Sequence, residues 1–193
     1  MATHNPFAMF APQPVGVRFE NQEEGEKIIL LLRAHIVTLI PAVLTTIFLV
    51  VGPIFVPRLL TLANIDLTDL LRGGRLFLIT LFWYLVTFGY AFYKFVFWYF
   101  NVYLLTNERI IDFDFRGVLH KEISYATLLH IEDVEPKTVG FFGTFFNYGD
   151  VFVQTAGTRP KFEFEKVPRP DAVAEAILDE ARKEEAEAPG EIA

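Results

Sequence analysis

The sequence contains no cysteine and only two Met and two Trp residues. The absence of Cys excludes disulfide bonds, thiolate zinc sites, iron–sulfur ligation and a cysteine nucleophile. Basic residues are in the minority, with 17 Lys and Arg against 24 Asp and Glu, for a net charge of −7. Because nucleic-acid-binding domains carry a basic surface, we expect no nucleic-acid partner.

Most of the negative charge lies at the C-terminus. Residues 171–193 carry a net charge of −6, which leaves −1 for the other 170 residues. From residue 184 the apolar periodicity is lost, so we predict an acidic flexible tail over 184–193. Residues 1–25 form a Pro-rich N-terminal extension, and its first 14 residues lack the Lys and Arg of a cleaved signal peptide.

Hydrophobic residues make up 52% of the chain and are concentrated in two long runs. No residue carries a formal charge from Ile36 to Pro57 or from Leu76 to Tyr93. About 20 apolar helical residues cross a hydrocarbon core of about 30 Å. The runs therefore predict transmembrane helices over about 36–57 and 76–98.

These helices define a membrane region over residues 26–100, with a linker over 58–75. Pro53 and Pro57 are expected to mark the end of the first helix. Pro41 is expected to be tolerated, because a neighbouring helix can satisfy the carbonyl groups that proline frees.

Lys94 interrupts the second run close to its end, and Trp98 follows it. We interpret Lys94 as a boundary residue that reaches the headgroups and Trp98 as part of an aromatic belt. The alternative for Lys94 is a lipid-phosphate contact or an intramembrane ion site.

Two spans place both termini on one side of a membrane. Lys and Arg are almost evenly divided between the two sides, so charge does not decide the orientation. Translocation of a folded domain of about 90 residues without a signal peptide is the less economical alternative. We expect a multi-pass protein of the bacterial cytoplasmic (inner) membrane with its C-terminal domain and both termini in the cytoplasm.

Residues 101–183 change from long runs to alternation. In Arg109–Arg116, Ile111, Phe113 and Phe115 point to one face and the polar residues to the other, which is typical of a half-buried strand. Pro170 and Asp171 then predict a helix start, followed by one apolar stripe. Similar patterns predict antiparallel strands over 101–106, 109–116, 119–124, 128–134, 150–155 and 161–167.

One sequence motif and the motifs that follow it resemble those of a known family. Tyr103–Ile111 reads Tyr-Leu-Leu-Thr-Asn-Glu-Arg-Ile-Ile, and Arg116–Leu119, Ile131–Val134 and Gly149–Val151 follow at the corresponding intervals. With two preceding spans, this order resembles the bacterial pleckstrin-homology (PH-like) membrane proteins over about residues 26–180. The resemblance implies a bent antiparallel split barrel capped by a C-terminal helix, in the α+β to mainly-β class, and carries no defined activity.

Two His-x-Glu pairs are the most chemically suggestive residues, at His120 and Glu122 and at His130 and Glu132. Residues i and i+2 of a strand share a face, so a metal site is conceivable, although half-exposed strand residues explain the pairs equally well. The sequence has no Ser-His-Asp order, phosphate-binding Gly loop or zincin helix. We therefore predict no enzyme, catalytic residue, metal, cofactor or small-molecule substrate.

The segment Gly140–Gly149 contains five aromatic residues between glycines. We expect its two Phe pairs to plug the open end of the small barrel, with a loop that contacts the membrane interface or a partner as the alternative. The sparse basic residues of the first hairpin argue against tight inositol-phosphate binding. The candidate lipid or partner contacts are Lys94, Trp98, Phe141, Phe142, Phe145, Phe146, Arg159 and Lys161.

The sequence thus supports a non-enzymatic two-span membrane protein that displays a cytoplasmic PH-like domain for protein interaction or assembly, with a protein partner or a homo-oligomer. The alternative is a sensor of anionic lipid headgroups or an accessory subunit of a membrane lipid or export machinery.

Overall fold

A computed structural model describes residues 5–19, 21–63, 74–115, 121–156 and 162–187. The chain divides into two compact units. One comprises the residues up to Thr38 together with those from Trp98 onward, and the other is Leu39–Phe97.

Two helices make up the second unit. A 3-10 turn over Ile36–Leu39 leads into α1 (Ile40–Leu62), and α2 runs over Gly74–Phe100. By length and composition, each is suited to crossing a membrane, and almost none of their most apolar residues is buried. The predicted end of the first helix was wrong, because Pro53 and Pro57 lie inside α1. The predicted linker lies mostly outside the described residues.

The neighbouring helix satisfies a carbonyl group that proline frees in α1. Pro53 has no N–H, so the carbonyl of Leu49 lacks its helical donor. The indole Nε1 of Trp83 donates to that oxygen at 2.8 Å. Tyr84 donates likewise to Val50 at 3.1 Å. These two aromatic residues therefore join the helices within the unit.

The first unit contains a five-stranded antiparallel sheet in the order β1-β2-β3-β4-β5. Its strands are Phe10–Pro12, Ile28–Leu32, Val102–Thr106, Arg109–Phe115 and Lys121–Thr127. The structure corrects the predicted domain limits, because β1 lies in the extension of residues 1–25 and β2 in the membrane region of 26–100. β2 pairs directly with β3, with Leu31 opposite Leu104, so the two apolar helices are inserted between adjacent strands.

A second, three-stranded antiparallel sheet has the order β6-β7-β8. Its strands are Ile131–Lys137, Tyr148–Thr155 and Phe162–Pro168, and a short helix α3 (Gly140–Phe146) connects β6 to β7. The predicted strand over 128–134 begins instead with a 3-10 turn. Helix α4 (Pro170–Glu187) follows β8, as predicted, and its extension to Glu187 shortens the predicted tail.

The main core lies between the two sheets and α4, with Phe164, Val173 and Ile177 fully buried. The resemblance implied a split barrel capped by a C-terminal helix; the structure has the helix, but the two sheets remain separate and do not close into a barrel. A second apolar cluster covers the opposite face of the five-stranded sheet. There, Val17 and Phe19 of the N-terminal segment pack against Leu31, Leu104 and Ile111. The extension is thus a structural layer of the domain.

Candidate functional site

The residues that precede and follow the apolar helices are joined around Arg33. Its side chain is 6% exposed, and its Nε donates to the carbonyl of Tyr99 at 3.0 Å. Its Nη1 donates to the carbonyls of Pro6 and Ala8, and the guanidinium lies 4.8 Å from the Tyr99 ring. Arg33 therefore connects the N-terminal segment, the end of β2 and the end of α2. This role of Arg33 was not predicted from the sequence.

Trp98 strengthens the same junction. Its indole Nε1 donates to the carbonyl of Ala34 at 2.8 Å, and its side chain is 7% exposed. Trp98 was predicted to contact lipid from an aromatic belt. The structure instead buries it within the first unit, because the chain has already returned to the domain at this position.

The Thr-Asn-Glu-Arg phrase forms the turn between β3 and β4. Arg109 binds the buried carboxylate of Glu26 with two hydrogen bonds, Nε to Oε1 at 2.9 Å and Nη2 to Oε2 at 2.8 Å. The hydroxyl of Thr106 donates to the same carboxylate, and Asn107 accepts from the backbone N–H of Lys27. The phrase therefore fixes the hairpin against the segment before β2, and its one Arg is already paired.

Burial and hydrogen bonding act in opposite directions on Glu26. Burial alone raises the pKa of its carboxyl group, but hydrogen bonds from Arg109, the backbone N–H of Glu23 and Thr106 outweigh that effect. The pKa therefore lies below its usual value, and the carboxylate stays charged at neutral pH. In this paired state Glu26 holds the β3–β4 turn against the segment before β2.

Helix α3 carries an exposed aromatic surface. The side chains of Phe141, Phe142, Phe145 and Phe146 are 75%, 62%, 70% and 39% exposed, and we name them the Phe patch. Phe141 stacks on Phe145, and Phe142 on Phe146, because residues four apart share a helix face. The expectation that these rings plug a barrel was wrong.

The opposite side of α3 explains why the rings face outward. Gly143 is buried, and a Cβ atom there would lie 3.1 Å from the carbonyl oxygen of Tyr148. Gly140 begins the helix with φ +79°, and Asn147 ends it with φ 52°. Since the helix is held so closely by its backbone, its large side chains can only project away.

His35 joins α3 to the end of the domain from which the chain continues into α1. Its ring stacks on Tyr148 at 5.4 Å and lies 6.4 Å from that of Phe146. Its backbone N–H donates to the carbonyl of Lys166 at 2.7 Å. Burial lowers the pKa of the imidazole, which is therefore neutral at neutral pH. His35 lies only five residues before α1 begins.

Three cations lie in or directly after the strands of the three-stranded sheet, and we name them the basic collar: Lys137, Lys166 and Arg169. Lys137 ends the strand that leads into α3, and the backbone N–H of Arg169 donates to the carbonyl of Asn147 at 2.9 Å. None of the three forms an ion pair with a described residue. Lys166 and Arg169 both have φ 52°, a left-handed conformation in which glycine is the favoured residue.

The outer face of the three-stranded sheet is acidic beyond the collar. Glu135 and Glu163 lie opposite Phe152 from its two sides, and Asp133 lies opposite Gln154. Partial burial raises the pKa of Glu163, and the neighbouring carboxylates of Glu165 and Asp150 add to that effect. The sheet thus carries positive charge next to α3 and negative charge further along.

The chain matches a known protein family. The family model described as Bacterial PH domain matches residues 28–181. The chain belongs to the bacterial PH domain family. The family resemblance drawn from the sequence is thereby confirmed, and the match begins at β2, so the apolar helix pair lies inside the matched range.

One solved structure is similar to part of this PH domain protein. It is a DUF1696 family protein with a pleckstrin-homology domain from Shewanella loihica, 24% identical, with a TM-score of 0.31. The similarity covers 43% of this chain and 68% of the other. A search of curated proteins found no match.

The other residues that were predicted to contact lipid, a partner or a metal ion do not lie together in one site. Lys94 is exposed on α2, with its ammonium 6.0 Å from the ring of Tyr90. Arg159, Lys161 and His120 lie outside the described residues. Within the part of the PH domain protein that the structure describes, no three His or acidic side chains are placed to hold a metal ion.

Proposed function

We propose that the chain is a non-enzymatic two-span protein of the bacterial cytoplasmic membrane. Its PH domain and both termini lie on the cytoplasmic side, and the domain serves protein interaction or assembly. The observation that carries the proposal is the pairing of β2 with β3 across the inserted helix pair.

That pairing restricts the membrane topology. Ile28–Leu32 precedes α1 and Val102–Thr106 follows α2, yet the two strands form one sheet. Strands in one sheet must lie on one side of a bilayer, so the chain between them crosses an even number of times. Two helices of 23 and 27 residues, about 35 and 40 Å long at about 1.5 Å per residue, supply two crossings.

The exposed surfaces of the helices support the same topology. Large apolar side chains of both are open on their outer faces, including Phe48 at 76% and Phe82 at 69%. In water such surfaces are costly, whereas lipid chains solvate them. Arg33 bonds to Tyr99 and Trp98 to Ala34, so the chain leaves the domain for the first helix and returns from the second at neighbouring points.

The protein-interaction role is assigned to the outer face of the three-stranded sheet. This face presents Asp133, Glu135 and Glu163 around the ring of Phe152, a combination suited to a partner with basic and apolar side chains. A small depression there is lined by Asp133, Glu135, Phe152 and Gln154.

Photo-crosslinking in native membranes tests the proposal. A photoreactive amino acid at Gln154, on the outer face, is expected to capture a reproducible protein neighbour identified by mass spectrometry. The same residue at the exposed Arg18 serves as the control. The protein should also resist alkaline carbonate extraction. A strictly monomeric protein without neighbours at Gln154 contradicts the interaction role, and extraction by carbonate contradicts the spans.

A further inference from the structure

We propose that the Phe patch and the basic collar form a second membrane contact that inserts into the headgroup region of an anionic bilayer. The inference rests on the proposed function only in that the helix pair places the domain at the membrane. The inference goes beyond the proposed function because it assigns a partner to the Phe patch, a surface that the two membrane helices do not explain.

The composition of the surface fits a bilayer interface. Four Phe rings project from a single short helix, with Val139 beside them at 64% exposure. Aromatic rings are favourable at headgroup depth, whereas a contiguous aromatic patch of this kind is unfavourable in water. Its rings stack in two pairs along the helix, Phe141 on Phe145 and Phe142 on Phe146, and form one continuous aromatic surface.

The position of α3 in the domain supports the same partner. His35 contacts Phe146 and Tyr148, and the chain enters the first apolar helix five residues later. The Phe patch therefore belongs to the end of the domain from which the membrane helices depart. Under the proposed function, the bilayer is therefore the partner nearest to the Phe patch along the chain.

Charge complementarity selects the kind of lipid. Lys137, Lys166 and Arg169 form no ion pair with a described residue, and all three are exposed. The ammonium of Lys137 lies 6.0 Å from the Phe152 ring and the guanidinium of Arg169 lies 5.6 Å from the Phe10 ring, which leaves their N–H donors open to phosphate groups. Each Lys or Arg near an anionic surface contributes about 1 kcal/mol, equivalent to about fivefold in the docking equilibrium. The acidic face of the sheet lies beyond the collar, where repulsion by the same lipids would keep it in water.

Two residues of the basic collar, Lys166 and Arg169, have a left-handed backbone conformation that suits glycine, so glycine substitutions there are suitable test variants. Lys166→Gly and Arg169→Gly each remove a charge and also relieve an unfavourable φ of 52°. The backbone N–H of Lys166, which donates to Asp150 Oδ1, is kept. Arg169→Gly also removes the contact of the guanidinium with the Phe10 ring at 5.6 Å, whereas Lys166→Gly should not destabilise the fold. A loss of docking in Lys166→Gly alone therefore cannot be attributed to unfolding.

The absence of Cys makes depth measurement direct. Spin labels are attached to two variants of the full chain, Phe142→Cys and Glu163→Cys, each reconstituted in nanodiscs. The accessibility of each label to oxygen, which concentrates in lipid, and to a water-soluble nickel chelate is then measured from their collision rates. In nanodiscs containing phosphatidylglycerol, the label at 142 should be more accessible to oxygen than to the nickel chelate. The label at 163 should be more accessible to the nickel chelate. The Lys166→Gly and Arg169→Gly pair should weaken docking by about 25-fold at low salt, and Arg182→Gln on α4 should leave it unchanged.

Two results would overturn the inference. One is a label at 142 that stays as accessible to the nickel chelate as the label at 163 in every lipid. The other is a label that is protected equally in neutral detergent and loses protection on dilution, which would indicate a second copy of the chain. Either result leaves carbonate resistance and crosslinking at Gln154 intact, so failure of this contact is distinguishable from failure of the proposed function.

Discussion

The indole N–H of Trp83 donates a hydrogen bond of 2.8 Å to the carbonyl oxygen of Leu49. Pro53 leaves this carbonyl without its helical donor, and the neighbouring helix supplies a replacement. The relationship explains how Pro53 can lie inside α1. It also joins the two apolar helices through a polar contact whose loss would leave an acceptor unpaired.

Substitution of Trp83 should depend on Pro53. Trp83→Phe should destabilise the helix pair by about 1 kcal/mol, because the Leu49 carbonyl loses its donor. In a Pro53→Ala background the helix regains an N–H, so the same substitution should cost less. Unfolding by SDS titration of the four proteins in mixed micelles measures the cycle. Equal losses in both backgrounds would refute the contact.

Arg33 should be a major stabilising residue of the domain. Arg33→Met removes the donors for the carbonyls of Pro6, Ala8 and Tyr99 in a buried site, so we expect a loss of about 2–4 kcal/mol. Arg18→Met, at an exposed position, should change stability by no more than about 0.5 kcal/mol. Urea unfolding in detergent, followed by near-ultraviolet circular dichroism, compares the two. Similar effects from both would argue against the junction.

The Glu26–Arg109 pair should make stability depend on acid pH. Because the folded-state pKa of Glu26 lies below its unfolded value, its contribution is complete above about pH 5 and is lost as pH falls through the folded pKa. At pH 7, Glu26→Gln should cost about 3 kcal/mol, since it leaves Arg109 without its charged partner.

Urea unfolding between pH 7 and pH 3 checks this dependence. The stability gap between wild type and Glu26→Gln should narrow as pH falls. Glu23→Gln is the matched control, because Glu23 lies 3.5 Å from the same guanidinium but is 64% exposed and should contribute less than about 1 kcal/mol. A gap that stays constant with pH would show that the carboxylate charge is not what stabilises the hairpin.

Gly149 should tolerate no side chain. A Cβ atom there would lie 2.5 Å from the carbonyl oxygen of Lys137, which is backbone and cannot move aside. Gly149→Ala should therefore cost about 2 kcal/mol or more and increase amide exchange in β6, β7 and α3. Gly89→Ala in α2, where a Cβ would meet nothing within 4 Å, should be nearly neutral. Equal protection in both variants would contradict the close approach.

Alternation predicted the strands whose two faces differ. In β4, Ile110 enters the main core and Ile111 the second cluster, but Asp112 and Asp114 alternate with Phe113 and Phe115 and mark the strand pattern. β2 escaped prediction because both of its faces are apolar: Leu30 and Leu32 enter the main core, while Ile28 and Leu31 enter the second cluster. It therefore resembled a continuation of the hydrophobic run of α1.

The sequence identified the residues of the candidate site, but it did not predict which of their side chains are exposed and which are buried. The Phe residues of α3 were identified from the sequence, yet their exposure depends on Gly143 packing against Tyr148, a contact between residues that alternation cannot place. Likewise, the inward turn of Trp98 depends on the carbonyl of Ala34, 64 residues earlier in the chain. Long-range backbone contacts of this kind leave no local sequence signal.

Thiol accessibility in spheroplasts tests the central claim most directly, because the protein contains no natural Cys. Single cysteines replace Ala63, at the end of α1, and Glu163, on the outer face of the PH domain. With a membrane-impermeant maleimide, Ala63→Cys should be labelled in intact spheroplasts and Glu163→Cys only after permeabilisation. Labelling of Glu163→Cys in intact spheroplasts would contradict a cytoplasmic PH domain carried by two membrane-spanning helices.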